Sequence, residues 1–242
     1  MDVVEREQLD SAVISNHWYY EAKFALLEKH VRSLPLALDS FTSADVGSGL
    51  GLFLHKMEKV GLASPGRSIG VDPAYDSPQK AFQSEIIIHP GFPELEVFDL
   101  LMLMDVLEHV EDDLALLKNT LRRASHNGFV LITVPALPVL WSAHDRFLGH
   151  FRRYTLASLE RLILATGQLE MIELHYYFAC ILPAAVPVRL LRARAESPMN
   201  SDMSAVPAAL NSLLTRYCKM ELGVAKLNQR AGLTAVALCK LK

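Results

Sequence analysis

Cysteine is scarce in this chain, and its three copies are scattered. Cys180, Cys218 and Cys239 form no C-x-x-C pair. That excludes a disulfide framework or a zinc knuckle and predicts reduced core residues of a cytoplasmic protein. No stretch offers the ~18 uninterrupted apolar residues of a membrane-spanning helix. The opening MDVVEREQLD is acidic and lacks the apolar centre of a secretory signal. An excess of basic residues is missing too. The 24 Lys and Arg are outnumbered by 27 Asp and Glu, for a net charge of −3. Nucleic-acid binding, which leaves a basic footprint, is therefore not expected. There is no internal repeat and no low-complexity tract. What is plentiful is apolar material, 51% of 242 residues. That suits a single α/β domain over 1–242 with one sizeable core.

Glycine is concentrated where it is least expected. ADVGSGLGLFL, residues 44–54, holds three glycines and one carboxylate. Each glycine weakens a strand or a helix interior, so the run marks a turn. A short strand ends near Asp45 before it. After it, Leu50, Phe53, Leu54 and Met57 recur at helical spacing, with Gly61 as the stop. A strand, a glycine turn and a helix make a nucleotide-binding corner, because the helix start offers unpaired N–H groups. The dinucleotide pattern G-x-G-x-x-G/A fails, since its sixth position is Leu52. The phosphate-loop ending Gly-Lys-Ser/Thr is absent. D-x-G-x-G-x-G remains, from Asp45 to Gly51. A tight turn with no ligand would also account for the glycines.

Strand-like and helix-like stretches then alternate. RSIGVD (67–72), SEIIIH (84–89), VFDLLMLMD (97–105) and FVLITVP (129–135) read as buried strands. Residues 73–83 read as a short helix or loop, and Asn127-Gly128 as a turn. EDDLALLKNTLRRA reads as a helix capped by Asp112, and YTLASLERLILATG as one capped by Thr155 and stopped at Gly167. LEMIELHYYF and LTAVALCKLK are the last two strands. Between them, 179–231 carries the apolar, then basic PAAVPVRLLRAR, a polar loop AESPMNSDMSAVP and a long helix, AALNSLLTRYCKMELGVAKLNQR. The alternation predicts a doubly wound, mostly parallel sheet with ligands beyond its carboxyl ends. Asp72 ends a strand 21 residues beyond Gly51, where an acidic side chain can grip both hydroxyls of a ribose. An ordinary strand-end Asp would cap the next turn.

DVLEHV, residues 105–110, follows the fourth strand. With it, FDLLMLMDVLEHVEDD is similar to the strand-four segment of the class I S-adenosylmethionine methyltransferases, and the glycine turn resembles their motif I. The resemblance covers 41–135. LPVLWSAHDRFLGHFRRYTLASLERLI is similar to the stretch that follows strand five in a bacterial-type subgroup, and NHWYYEAKF to that subgroup's leading helix. Lys23 stands where those relatives more often carry Arg. The resemblance implies a seven-stranded sheet with a final antiparallel strand and helical additions at the N-terminus and between the last two strands. It divides the chain into an N-terminal helical lid (1–40), a cofactor-binding core (41–135), a substrate-side loop (136–155) and the insertion (179–231). It implies S-adenosylmethionine as cofactor, with its methionine end at Asp45, Gly47, Ser48, Gly49 and Gly51. Its ribose falls to Asp72, and its amino group and methyl to Met104 and Asp105. His89, or the backbone near Pro90 and Gly91, serves the adenine.

Methyl transfer is an in-line displacement at a sulfonium carbon, so a base is needed only where the acceptor carries a proton. Candidate catalytic residues are His109, His144, His150 and Tyr154. Arg152 and Arg153 could hold a carboxylate or phosphate, with Trp141 beside them, against the alternative of a solvated basic face. His144, Asp145 and His150 have no common metal spacing, so no metal is expected. Trp18, Tyr19 and Tyr20 either cover the cofactor or pack the first helix onto the sheet. The expected reaction is methylation of a small-molecule or lipid-like acceptor. The alternative is a non-catalytic S-adenosylmethionine-binding regulator or scaffold. The insertion leaves open a substrate wall, a homodimer face or a peripheral membrane contact.

Overall fold

A computed structural model describes residues 15–187 and 206–242. The N-terminal acidic stretch and most of the segment from PAAVPVRLLRAR through the polar loop lie outside them. In chain order the elements are α1 (Trp18–Ser33), β1 (Ser43–Val46), α2 (Leu52–Lys59), β2 (Ser68–Val71), β3 (Gln79–Lys80), β4 (Ile87–His89) and β5 (Phe98–Met104). Then come α3 (Asp113–Leu121), β6 (Ala124–Pro135), α4 (Ala143–Phe147), α5 (Leu156–Ala165), β7 (Leu169–Tyr177), α6 (Ala208–Glu221) and β8 (Thr234–Leu241).

The strands form one sheet in the order β3-β4-β2-β1-β5-β6-β8-β7. β4, β2, β1, β5 and β6 run parallel, and β8 is antiparallel to both β6 and β7. The chain winds outward from β1 in one direction, then restarts at β5 on the other side. The carboxyl ends of β1 and β5 thus form the switch point where such sheets bind ligands. This is a Rossmann-like α/β fold. It has eight strands, not seven, because the two-residue β3 pairs antiparallel at the β4 edge.

Alternation along β5 explains its continuous apolar run. Leu100, Met102 and Met104 face one core, with Leu26, Leu27 and Val31 of α1 and Phe53, Leu54 and Met57 of α2. Leu101 and Leu103 face the other, with Leu117 and Leu121 of α3 and Leu159 and Ile163 of α5. A strand covered on both faces has no polar side. The α6 helix packs beside α1, where the Tyr177 hydroxyl donates to the Cys218 carbonyl at 3.0 Å.

The local signals hold where they are local. Asp112 accepts from Ala115 N–H at 2.8 Å, and Thr155 from Ser158 N–H at 3.1 Å. Gly61 and Gly167 end their helices at φ +76° and +71°. The segment 73–83 holds β3 in place of a helix. Asn127 and Gly128 are not a turn between elements but an irregularity within β6, which starts at Ala124. Pairing with β5 shifts register between Phe98 and Leu100, and Asn127 absorbs the kink at φ +62°.

Candidate active site

The glycine turn leaves the end of β1 and opens α2. Gly47, Gly49 and Gly51 take φ of +69°, +54° and +74°, a left-handed conformation that other residues adopt at a cost. Space is as restrictive as angle. A Cβ on Gly47 would lie 2.7 Å from Val106 Cγ2, and one on Gly51 2.5 Å from Ala81 Cβ. At these two positions the backbone is bare partly because the protein's own side chains press on it.

Asp72 follows β2 and holds the turn in place. Its Oδ2 accepts from Gly49 N–H at 2.7 Å and its Oδ1 from Ala74 N–H at 2.9 Å. Asp45, near the end of β1, is 1% exposed and its Oδ2 has no hydrogen-bond partner among the described residues. Burial, and then the charge of Asp72, raise its carboxyl to about 7. Ser48 Oγ is buried and likewise without a partner among the described residues. Two polar atoms are therefore left open beside the glycine turn.

At the end of β5, Met104 is buried and Asp105 turns the chain at φ +58°. Lys23 of α1, itself 1% exposed, pairs with the Asp105 carboxylate. The Tyr19 and Thr133 hydroxyls donate to the same carboxylate, each at 3.2 Å. Burial alone would raise the Asp105 pKa, but the Lys23 ammonium and the Thr133 hydroxyl hold it below its ordinary value. Tyr19 also stacks on Phe178, with centroids 5.5 Å apart, whereas Tyr20 is buried against Phe53. The packing role weighed from the sequence is seen at Tyr20. Tyr20 packs, and Tyr19 reaches the β5 end.

The loop after β6 is organised by Asp145, which is fully buried on α4. It accepts from Ser142 N–H at 2.8 Å and Ser142 Oγ–H at 3.1 Å. His150 Nδ1 stands at 3.0 Å, and Arg153 Nε donates at 2.6 Å. Burial opposes ionisation, but the His150 and Arg153 donors hold the carboxyl well below the usual range. Phe151 N–H donates to the Glu108 carbonyl at 2.7 Å, which brings the loop to the turn after β5. There the His109 and His150 rings meet edge to face, 4.6 Å apart. One ligand atom from each of Glu108, His109 and His150 lies within 4.8 Å of the others. Glu108 is fully buried, and neither carboxyl oxygen has a hydrogen-bond partner among the described residues. Burial, then the Asp105 charge, raise its pKa well above the ordinary value.

The structure thus brings together His109 and His150 from the sequence-derived candidates. Arg153 is engaged by Asp145 and the Ala136 carbonyl, and Arg152 pairs with Asp113 at 2.8 Å. The Tyr154 hydroxyl donates to Asp113 at 2.8 Å. Burial, and then Asp113, push that phenol up, so it stays protonated. His144 and Trp141 are half-buried on and before α4. Sequence reasoning passed over Glu108, weighed Asp145 only as a metal ligand, and set Lys23 only against the Arg of its relatives. The structural role of Asp145 had a signal in the sequence, since Ser142-x-x-Asp145 is a capping-box pattern.

A family model described as a methyltransferase domain matches residues 26–174, more than half of the chain. The chain belongs to the methyltransferase family. Solved structures support the fold. The methyltransferase is 14% identical to an S-adenosylmethionine-dependent methyltransferase from Thermotoga maritima, covering 93% of each chain with a TM-score of 0.52. It is 13% identical to one from Mesorhizobium loti, covering 88% of this chain and 96% of that one with a TM-score of 0.50. It is 12% identical to the plantazolicin methyltransferase BpumL, solved with SAH, covering 96% of this chain and 86% of that one with a TM-score of 0.52. A search of curated proteins found no match to the chain.

The cofactor of this class I methyltransferase is S-adenosylmethionine, and the residues present fit it. The cofactor carries a sulfonium, an ammonium and hydroxyl donors. The open Asp45 Oδ2 and Ser48 Oγ are acceptors beside the glycine turn.

Proposed function

We propose that the enzyme methylates a small-molecule or lipid-like acceptor whose attacked atom carries a proton, and that His150 takes that proton. S-adenosylmethionine, when bound, supplies an electrophilic methyl on a sulfonium that departs as a neutral thioether. Every other task falls to the chain. Asp72 keeps lone pairs for ribose hydroxyls, while Asp45, Ser48 and the turn Gly47–Gly51 receive the methionine end. The backbone at Met104 and Asp105 lies at the switch point between them and the acceptor.

The observation that carries the base assignment is the Asp145–His150 contact at 3.0 Å. A carboxylate held ionised can only accept, so His150 Nδ1 carries its proton inward. The other ring nitrogen is then the proton acceptor, and Asp145 stabilises the imidazolium that forms. Arg153 and Ser142 position Asp145 without reaching the reacting atoms. The lipid-like option rests on Leu213, Tyr217 and Met220 of α6 and Val224 beyond it, which are exposed at helical spacing.

The test is transfer of labelled methyl from S-adenosylmethionine to a panel of small phenols, carboxylic acids, amines and lipids. With an acceptor found, His150→Gln should lower kcat by ~10²–10⁴-fold and leave cofactor affinity unchanged. An unchanged kcat removes the base role. Methyl accepted by no compound favours the scaffold alternative.

A further inference from the structure

A second cluster lies at the far end of α1, and methyl transfer makes no use of it. His30 sits in the last turn of α1, and Glu173 and His175 are two residues apart on β7, so they share a sheet face. His30 and His175 are 2% and 1% exposed, and their rings stack with centroids 5.7 Å apart. Each ring turns Nδ1 to a main-chain carbonyl, His30 to Leu26 O at 2.8 Å and His175 to Tyr176 O at 3.1 Å. A carbonyl only accepts. Each Nδ1 therefore carries the ring proton, and each Nε2 is left with a lone pair.

Glu173 completes the set. Its Oε1 is paired with Lys226, while its Oε2 stands 3.3 Å from His30 Nε2. His30 Nε2, His175 Nε2 and Glu173 Oε2 are all buried and lack a hydrogen-bond partner among the described residues. One ligand atom from each residue lies within 4.8 Å of the other two. Two imidazole nitrogens and one carboxylate oxygen, buried and facing one another without a hydrogen-bond partner among the described residues, form a set that a cation can join.

We infer that His30, Glu173 and His175 form a binding site for a divalent transition-metal ion of the zinc type. Two imidazoles and one carboxylate suit zinc or cobalt, and disfavour calcium and magnesium, which prefer all-oxygen cages. Zinc bonds of ~2.0–2.1 Å at tetrahedral angles place ligand atoms ~3.4 Å apart. The His30–Glu173 pair already has that spacing. The carbonyls of Leu26 and Tyr176 supply the outer hydrogen bonds that fix the tautomers of metal-binding histidines. The fourth position falls to water. The ion ties α1 to β7, and α1 also carries Tyr19 and Lys23, which hold Asp105. The metal therefore braces the helix that supports one wall of the cofactor site.

The experiment is titration of chelator-treated, full-length protein with Co²⁺, read by its visible absorption bands, followed by displacement with Zn²⁺. Wild type should develop bands to one equivalent, lose them to Zn²⁺, and melt at a higher temperature with metal. His175→Gln and Glu173→Gln should weaken binding by more than the ~10–100-fold typical of losing an outer hydrogen bond. Circular dichroism establishes that each variant is folded, and the wild-type titration stands if one is not. His150→Gln, in the other imidazole–carboxylate cluster, should titrate like wild type. A folded wild type that takes up no metal overturns the inference, and a bridging proton then joins His30 to Glu173. Loss of binding in His150→Gln but not in His175→Gln overturns it equally.

Discussion

Around the glycine turn, buried polar atoms are left open. In the loop after β6, they are closed. Asp45 Oδ2 and Ser48 Oγ have no hydrogen-bond partner among the described residues. Asp145, as deeply buried, is surrounded by Ser142, His150 and Arg153. An unpaired polar atom in an apolar site is costly, and it persists where a ligand completes it. A saturated carboxylate is the mark of a residue that positions others. On the proposed function, the first region receives the cofactor and the second holds one imidazole still.

The strongest way to break that contrast is to open the closed side. Asp145→Ala leaves the Arg153 guanidinium, 3% exposed, without its anion. Removing one member of a buried pair costs about 3–5 kcal/mol. Chemical denaturation should show that loss, and a loss below about 1 kcal/mol would mean that water reaches the pair. Gly51→Ala comes next. Its Cβ would meet Ala81 Cβ at 2.5 Å, and its φ of +74° penalises any side chain. Overpacking and a left-handed residue together predict a loss of about 2–4 kcal/mol. A wild-type midpoint would show that the turn relaxes and that the glycine serves the ligand alone.

The smallest effect depends on pH. The Asp45 carboxyl is raised from 3.8 to about 7 by burial and Asp72, so between those values the folded state holds more protons than the unfolded one. Stability from this group is full below pH ~4 and is lost as the pH rises to about 7. Asp45→Asn removes the titration. Its melting temperature should vary less than that of wild type across this range, and equal slopes would assign the effect to another group.

The same contrast explains what could be read from the chain alone. The glycine turn, Asp72 and the end of β5 are contiguous motifs whose spacing carries their geometry, so the strand–turn–helix corner was legible. The helix caps at Asp112 and Thr155 were legible for the same reason. The Asp145 network was not, because its partners meet only after the loop has folded back. Phe151 N–H finds the Glu108 carbonyl from 43 positions away. Lys23 meets Asp105 only through packing of α1 on the sheet, and 82 residues separate the two. Glu108 reads as one more acidic residue in DVLEHV until the turn at Leu107–His109 points it inward. The turn signal at Asn127-Gly128 was legible too, and it falls where β6 breaks register with β5 between Ala124 and Phe129.

The central claim is that the turn at Gly47–Gly51, held by Asp72, binds S-adenosylmethionine. Calorimetric titration of S-adenosylmethionine and S-adenosylhomocysteine into wild type and Asp72→Ala tests it most directly. The account predicts micromolar binding that weakens by roughly tenfold or more in the variant, since a lost charge-assisted hydrogen bond is worth about 1.5–3 kcal/mol. Folded, ligand-free wild type that binds neither compound, or a folded variant that binds both as well as wild type, would contradict it.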